Sequence, residues 1–138
     1  MTLTAEQPIV ISLVGTIRAN TPLKNATHGI HEEVAPQKTE YPFLTYGLVS
    51  AVYEDDFSGR IIRAMFDVWA WARDQVAASD LDQMVSSTLE NSLLPVTDQG
   101  TMYCRRKEGL RITELDETGN RIYRRGGTYA IWTQQTFA

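Results

Sequence analysis

The stretch "APQKTEYPFLTYGLVSAVYEDDFSGRIIRAMFDVWAWA", residues 35–72, decides the fold. Ile62, Ala64, Phe66, Val68 and Ala70 alternate with Ile61, Arg63, Met65, Asp67 and Trp69, so one face of this segment is wholly apolar and the other mixed. That period of two predicts a long strand with one side on the core and the other toward water or a partner. The β-branched and aromatic run from Phe43 to Tyr53 predicts a second strand. "EDDFSG" between them reads as a hairpin loop, with Gly59 available for a positive φ. Pro36 and Pro42 bracket an exposed connection, since neither can donate a ladder hydrogen bond.

Working outward, Thr4 and Gln7 read as a capping box with Pro8 in the first turn of a helix. Ile9, Leu13 and Ile17 give that helix an apolar face to about Asn20, and "NTPLKNATHG" closes it with turn residues. A short strand is expected over residues 29–34. Downstream, Ser79 or Asp80 is expected to cap a second helix, whose apolar positions from Leu81 reach Leu93 before Pro95 stops it. Two long strands follow, roughly 102–115 and 122–132, joined by "DETGN". The expected architecture is α+β: a mostly antiparallel sheet of four to five strands with two helices packed on one face.

A chain of 138 residues supports one domain, expected here over 1–138, with a core that removes roughly two-thirds of the unfolded chain's surface from water. A charged fraction of 22% is ordinary for a globular protein and argues against wholesale disorder. Cys104 is the single cysteine, so no disulfide forms within the chain. "MTLTAEQPIVISLVGTIRAN" lacks a basic start, and polar residues break its apolar run. It therefore reads as neither a signal peptide nor a bilayer span, and the expectation is a soluble protein made in the cytoplasm without a membrane partner.

Charge is unevenly spread. Residues 105–125 hold seven of the 13 basic groups (Arg105, Arg106, Lys107, Arg111, Arg121, Arg124, Arg125) against four acids. Residues 32–56 hold six acids, among them Glu54, Asp55 and Asp56, against Lys38 alone. The plain reading is two solvated strand faces. The sharper one is a pair of surfaces through which copies of the chain, or a neighbour, meet with opposite charges facing.

Candidate chemistry is sparse. His28 and His31 are the only histidines and on a strand would face opposite sides, whereas zinc takes three or four convergent ligands; no metal or cofactor is expected. Asp55 and Asp56 sit in a hairpin tip, where solvated turn carboxylates are commoner than acids tuned by burial. Gly126-Gly127 lacks the helix and the Lys-Ser/Thr of a phosphate loop and is expected to kink or bulge a strand. No catalytic residue is nominated. "YCRRKEGLR" and "RIYRRGGTY" interleave aromatics with arginines as strand-based nucleic-acid binders do. Against that, the sequence pI is about 5.1, and alternation sends Arg105 and Arg106 to opposite faces. Trp69, Trp71 and Trp132, with Tyr41, Tyr46 and Tyr53, either complete the core or serve an interface.

Over residues 9–132 the order of elements resembles the small tail-completion proteins of long-tailed bacteriophages, also called tail terminators or minor tail proteins. It rests on an amphipathic first helix, on "GIHEEVAPQKTEYPFLTYGLVS", and on "DDFSGRIIRAMFDVWAWARDQVAASDLDQMVSSTLENSL" as hairpin, long strand and helix. The resemblance implies a non-enzymatic virion protein that forms a ring, commonly of six copies, on the head-proximal end of the tail tube. Such a ring ends tube growth and presents a surface to the head-tail connector or stopper, while DNA passes through its lumen without specific binding. The partners it implies are other copies of the chain, the tube protein and the connector. Candidate interface residues are Glu54, Asp55, Asp56, Phe57, Arg105, Arg106, Lys107, Arg121, Arg124, Arg125, Trp69 and Trp71, and the loops at residues 33–41, 54–59 and 116–120 are expected to meet tube or connector. Reversing Arg124 and Arg125 to Glu is expected to weaken the ring. A head-tail stopper and a sheet-based nucleic-acid binder remain alternative readings.

Overall fold

The computed structural model describes residues 7–36, 38–55, 59–90, 92–96 and 100–136. Its elements run α1 (Gln7–Ala19), α2 (Thr21–Ala26), β1 (Ile30–Glu32), β2 (Phe43–Asp55), β3 (Gly59–Ala72), α3 (Gln75–Leu89), β4 (Ser92–Val96), β5 (Gly100–Leu115) and β6 (Arg121–Thr136). All the strands join one sheet in the order β1-β2-β3-β6-β5-β4. Five of them pair antiparallel, and the three-residue β1 adds itself parallel to β2 at one edge. The expected α+β layout holds.

The period-two segment of β3 is the centre of the molecule. Ile62, Ala64, Phe66, Val68 and Ala70 are each 2% exposed or less. Against them lie Ile9, Leu13 and Ile17 of α1, Leu23 of α2, and Leu81, Val85 and Leu89 of α3. Each fully buried large aliphatic or aromatic side chain in this cluster contributes about 1.5–3 kcal/mol by leaving water. The helices thus cover one face of the sheet and leave the other open.

Both helix boundaries after α1 differ from expectation. Asn20 does end α1, but its side chain accepts from the Leu23 amide at 3.0 Å and opens α2, where only turn residues were expected. Its amide nitrogen also donates to Thr88 at 2.9 Å, tying α2 to α3. In α3 the cap is Asp74, accepting from the Ala77 amide at 3.0 Å, not Ser79 or Asp80. That helix ends at Leu89, and Leu93 and Pro95 belong to β4, which pairs with β5. Apolar spacing does continue to Leu93, yet ladder pairing with β5 takes the segment, and proline is tolerated because β4 is an edge strand. Thr4 and the loop tip Asp56 to Ser58 lie outside the described residues.

The turn at 116–120 forms as read: Asp116 accepts from the Thr118 and Asn120 amides, both at 2.9 Å, and Gly119 takes φ +83°. Gly126-Gly127 does not bulge its strand. β6 stays in register with β3 along its length, and the extra residue is Lys107 on β5. The glycines instead permit close approach. A Cβ on Gly126 would stand 2.4 Å from the Val68 carbonyl oxygen, and one on Gly127 would stand 2.9 Å from the Arg106 guanidinium.

Candidate assembly surface

Two polar arrangements, one on each side of the sheet, account for most of the singled-out arginines. On the helix side, Arg106 leaves β5 toward α3 and donates to both carboxylate oxygens of Asp82, at 3.0 and 2.9 Å. A further hydrogen bond reaches the Gly126 carbonyl at 2.9 Å. This forked geometry is what a guanidinium offers and an ammonium does not. Arg125, on the same side, is 5% exposed and donates to the carbonyls of Ile112 and Arg124 at 3.1 and 2.9 Å. Burial, with Arg111 nearby, pushes its pKa below the ordinary arginine value.

On the open side, strand alternation stands Trp69 and Trp71 side by side on β3, with Arg124 across from Trp71 on β6. The Arg124 guanidinium lies 4.4 Å from the Trp69 ring centre and 4.1 Å from that of Trp71, and its Nη1 bonds Glu114 at 2.9 Å. Trp69 covers the bare backbone of Gly126. The stack continues through Phe43, whose ring centre is 5.5 Å from Trp71, to Tyr41 at 5.0 Å from Phe43. Arg73 closes it, 4.7 Å over Tyr41. Thr45, buried here, accepts the Trp71 indole N–H at 2.8 Å. Sequence reading found the tryptophans, Arg124 and Tyr41 but not the clamps Glu114 and Phe43. The mixed face of β3 was the available signal.

The other candidates are on the outside. Arg105, Arg121 and Glu54 are exposed, and Glu54 pairs with Arg63 at 3.1 Å. Lys107, at the β5 bulge, sits 5.6 Å over the Trp132 ring. Asp55 ends β2 opposite Arg60, while Asp56 and Phe57 lie outside the described residues. The structure therefore brings Trp69, Trp71 and Arg124 together and puts Glu54 and Arg105 on strands at opposite sides of the sheet. Arg106, Arg124 and Arg125 are spent on internal contacts, which removes three of the seven cations from any nucleic-acid patch.

Among the described residues no cluster of three or more His, Cys, Asp or Glu has metal-binding spacing. Burial pushes the Cys104 thiol up to about 12, with Glu90 adding to the effect, so it is an inert core residue. A hollow of about 340 Å³ between α1, α2 and β1 is lined by Ile17, Leu23, Ile30 and Leu44, with Arg18 and Lys24 also on its wall and no nucleophile-base pair.

What the surface does present is two open strand edges. Among the described residues no strand pairs with the outer side of β2 beyond Tyr46, or with the outer side of β5 beyond Cys104. Leu48, Val49, Val52 and Tyr53 are exposed on the first, and Ile112 and Leu115 on the second.

Comparison with solved structures shows the same fold in a chain of the virion of a native gene transfer agent particle. That match has a TM-score of 0.72 at 13% identity and covers 89% of this chain and 92% of the other. A second solved structure, 12% identical, covers 99% of each chain with a TM-score of 0.53. No curated protein sequence matches this chain. Residues 12–134, from within α1 almost to the end of β6, match the family described as tail completion protein gp17, and the chain belongs to that family of phage tail structural proteins.

Proposed function

We propose that this protein is a tail terminator: several copies close into a ring on the head-proximal end of a phage tail tube, end its growth and offer the joint to the head. Membership of the tail completion family over residues 12–134 is the observation that carries this reading. The geometry supports it. A ring needs two different surfaces on each subunit, because a head-to-tail contact closes only when the same rotation repeats. The chain offers them at the two sides of one sheet, acidic through Glu32, Glu33 and Glu54 at the β2 side and basic through Arg105, Lys107 and Arg111 at the β5 side. The proposed work is mechanical and structural, with the tube protein and the head-tail connector as further partners and the virion as its place. Three of the seven cations of residues 105–125 are engaged internally, which thins the cationic surface available to hold DNA that slides past.

The test is electron microscopy of lysates from the parent particle with this gene deleted. Overlong or ragged tails without heads are the expected result. Normal-length tails beside full, unattached heads would move the protein to the head side of the joint, and intact infectious particles would overturn a role in tail completion.

A further inference from the structure

Both open edges are unusual for a free monomer. Exposed, apolar strand edges template pairing with another chain, and soluble proteins normally blunt them. Here six of the nine exposed large hydrophobic side chains among the described residues lie on just these two segments: Leu48, Val49, Val52 and Tyr53 on β2, Ile112 and Leu115 on β5. The segments are of similar length, residues 47–55 and 105–115. The first segment carries the acid Glu54, which also meets Arg63, while on the second Arg105, Lys107 and Arg111 outnumber Glu108 and the Arg124-bound Glu114. Complementarity of this kind selects a second copy of the same chain as the occupant.

We infer that copies join by strand addition, the open β2 edge of one subunit pairing antiparallel with the open β5 edge of the next, so that their sheets fuse into one continuous sheet. This rests on the ring reading above and gives its interface a backbone register. Within one subunit β2 and β5 run antiparallel, so a neighbour in the same orientation presents the correct polarity.

The fold also dictates how neighbours are offset. Ala51, Ala64, Ile131 and Cys104 lie in one row across the sheet, and Thr45, Trp69, Gly126 and Leu110 in another. The middle of the open β2 edge is therefore level with the part of β5 that β4 already covers. The middle of the open β5 edge is level with the part of β2 that β1 covers. A neighbour set side by side without offset would collide with β1 and β4. Sliding it by six ladder steps, the separation of Ala64 and Ala70 on β3, sets Ala51 of one copy beside Arg111 of the next, both on the helix side, and aligns open edge with open edge. That stagger is about 20 Å along the strands at about 3.4 Å per residue. Four through-running strands (β2, β3, β6, β5) span about 19 Å sideways at about 4.8 Å each. The two displacements together tilt the strands by about 45° from the ring axis, close to the 35–45° at which β-barrels close. β1 and β4 act as stops that fix this stagger, and the fused sheet closes as a barrel wall with the helices on one surface.

Hydrogen exchange on the native protein, free and assembled on tails, tests this directly. Amides in both 47–55 and 105–115 are expected to slow by about tenfold or more on assembly. Multimers in which only one segment, or neither, gains protection would overturn edge pairing while leaving the ring intact. A single copy per tail would overturn the ring and the edge pairing together. A second measurement identifies the occupant. Val52→Cys and Ile112→Cys, combined in one chain and treated with a short bis-maleimide, are expected to give a ladder of covalently linked copies, and either change alone none. Val52 and Ile112 share the open face, and Cys104 is buried and does not react. Linkage to the tube protein alone would overturn pairing between copies.

Discussion

Arg106 spans the sheet and its helix layer. Its guanidinium satisfies both oxygens of Asp82 and the Gly126 carbonyl while 20% of its side chain remains exposed. Arg106→Ala strands a half-buried carboxylate on α3 and is expected to cost about 2–3 kcal/mol in urea unfolding. Arg106→Lys should recover little, because one ammonium cannot reproduce the fork. Two buried groups set the alkaline limit of stability. Burial holds the Tyr129 hydroxyl at about 12 and the Cys104 thiol at about 12, against ordinary values of 10.0 and 9.0. Both pKa values are raised in the folded state, so the stability they supply is complete below about 9 and drains as pH rises through about 12. Thermal unfolding followed from pH 8 to 12 is expected to show a falling midpoint from about pH 9, and a flat profile to pH 12 would contradict it. Alternation alone showed that Arg105 and Arg106 face opposite ways. That Arg106 meets Asp82 was not legible, because Asp82 reaches it only once α3 crosses β5.

Between elements, the open-face stack joins β2, β3, β5 and β6 through side chains. Arg124 sits between two indoles and is tied by Glu114, so a planar cation is required there, not merely a positive charge. Arg124→Lys keeps the charge and loses the stacking and is expected to cost about 1–2 kcal/mol. Parallel thermal melts of the variant and the parent check this, and tryptophan fluorescence should report the loosened rings. The strands of this stack were legible because β3 alternates strictly. The boundaries of α3 and the existence of β4 were not. Residues 90–96 carry an apolar spacing compatible with a helix, and pairing with residues 100–104 of β5 decides for a strand. Likewise the glycine pair reads locally as a bulge, whereas its cause is the Val68 carbonyl and the Arg106 guanidinium arriving from other strands.

For the whole molecule, the division of arginines into internal and external sets changes how assembly should be probed. Arg125→Glu would place a carboxylate against two carbonyl oxygens in a site 5% exposed, so reversing Arg124 and Arg125 tests folding before assembly. The exposed pair Arg105→Glu and Arg111→Glu is expected to change stability by less than about 1 kcal/mol yet reduce incorporation into tails. Unfolding curves and quantitation of the protein in purified particles separate the two effects, and full incorporation would remove charge pairing from the interface. The α+β class, the long β2–β3 hairpin, the turn at 116–120, the core face of β3 and the family resemblance are all legible in the chain of residues. All of these follow from residue periodicity and turn chemistry, which act over a few neighbouring positions. The strand order, the conversion of residues 92–96 to an edge strand, the internal fate of three arginines and the two open edges emerge only on folding. Those depend on which segment of the chain arrives alongside, and some partners lie more than 20 residues away, as Arg106 with Asp82 and Trp71 with Thr45 show.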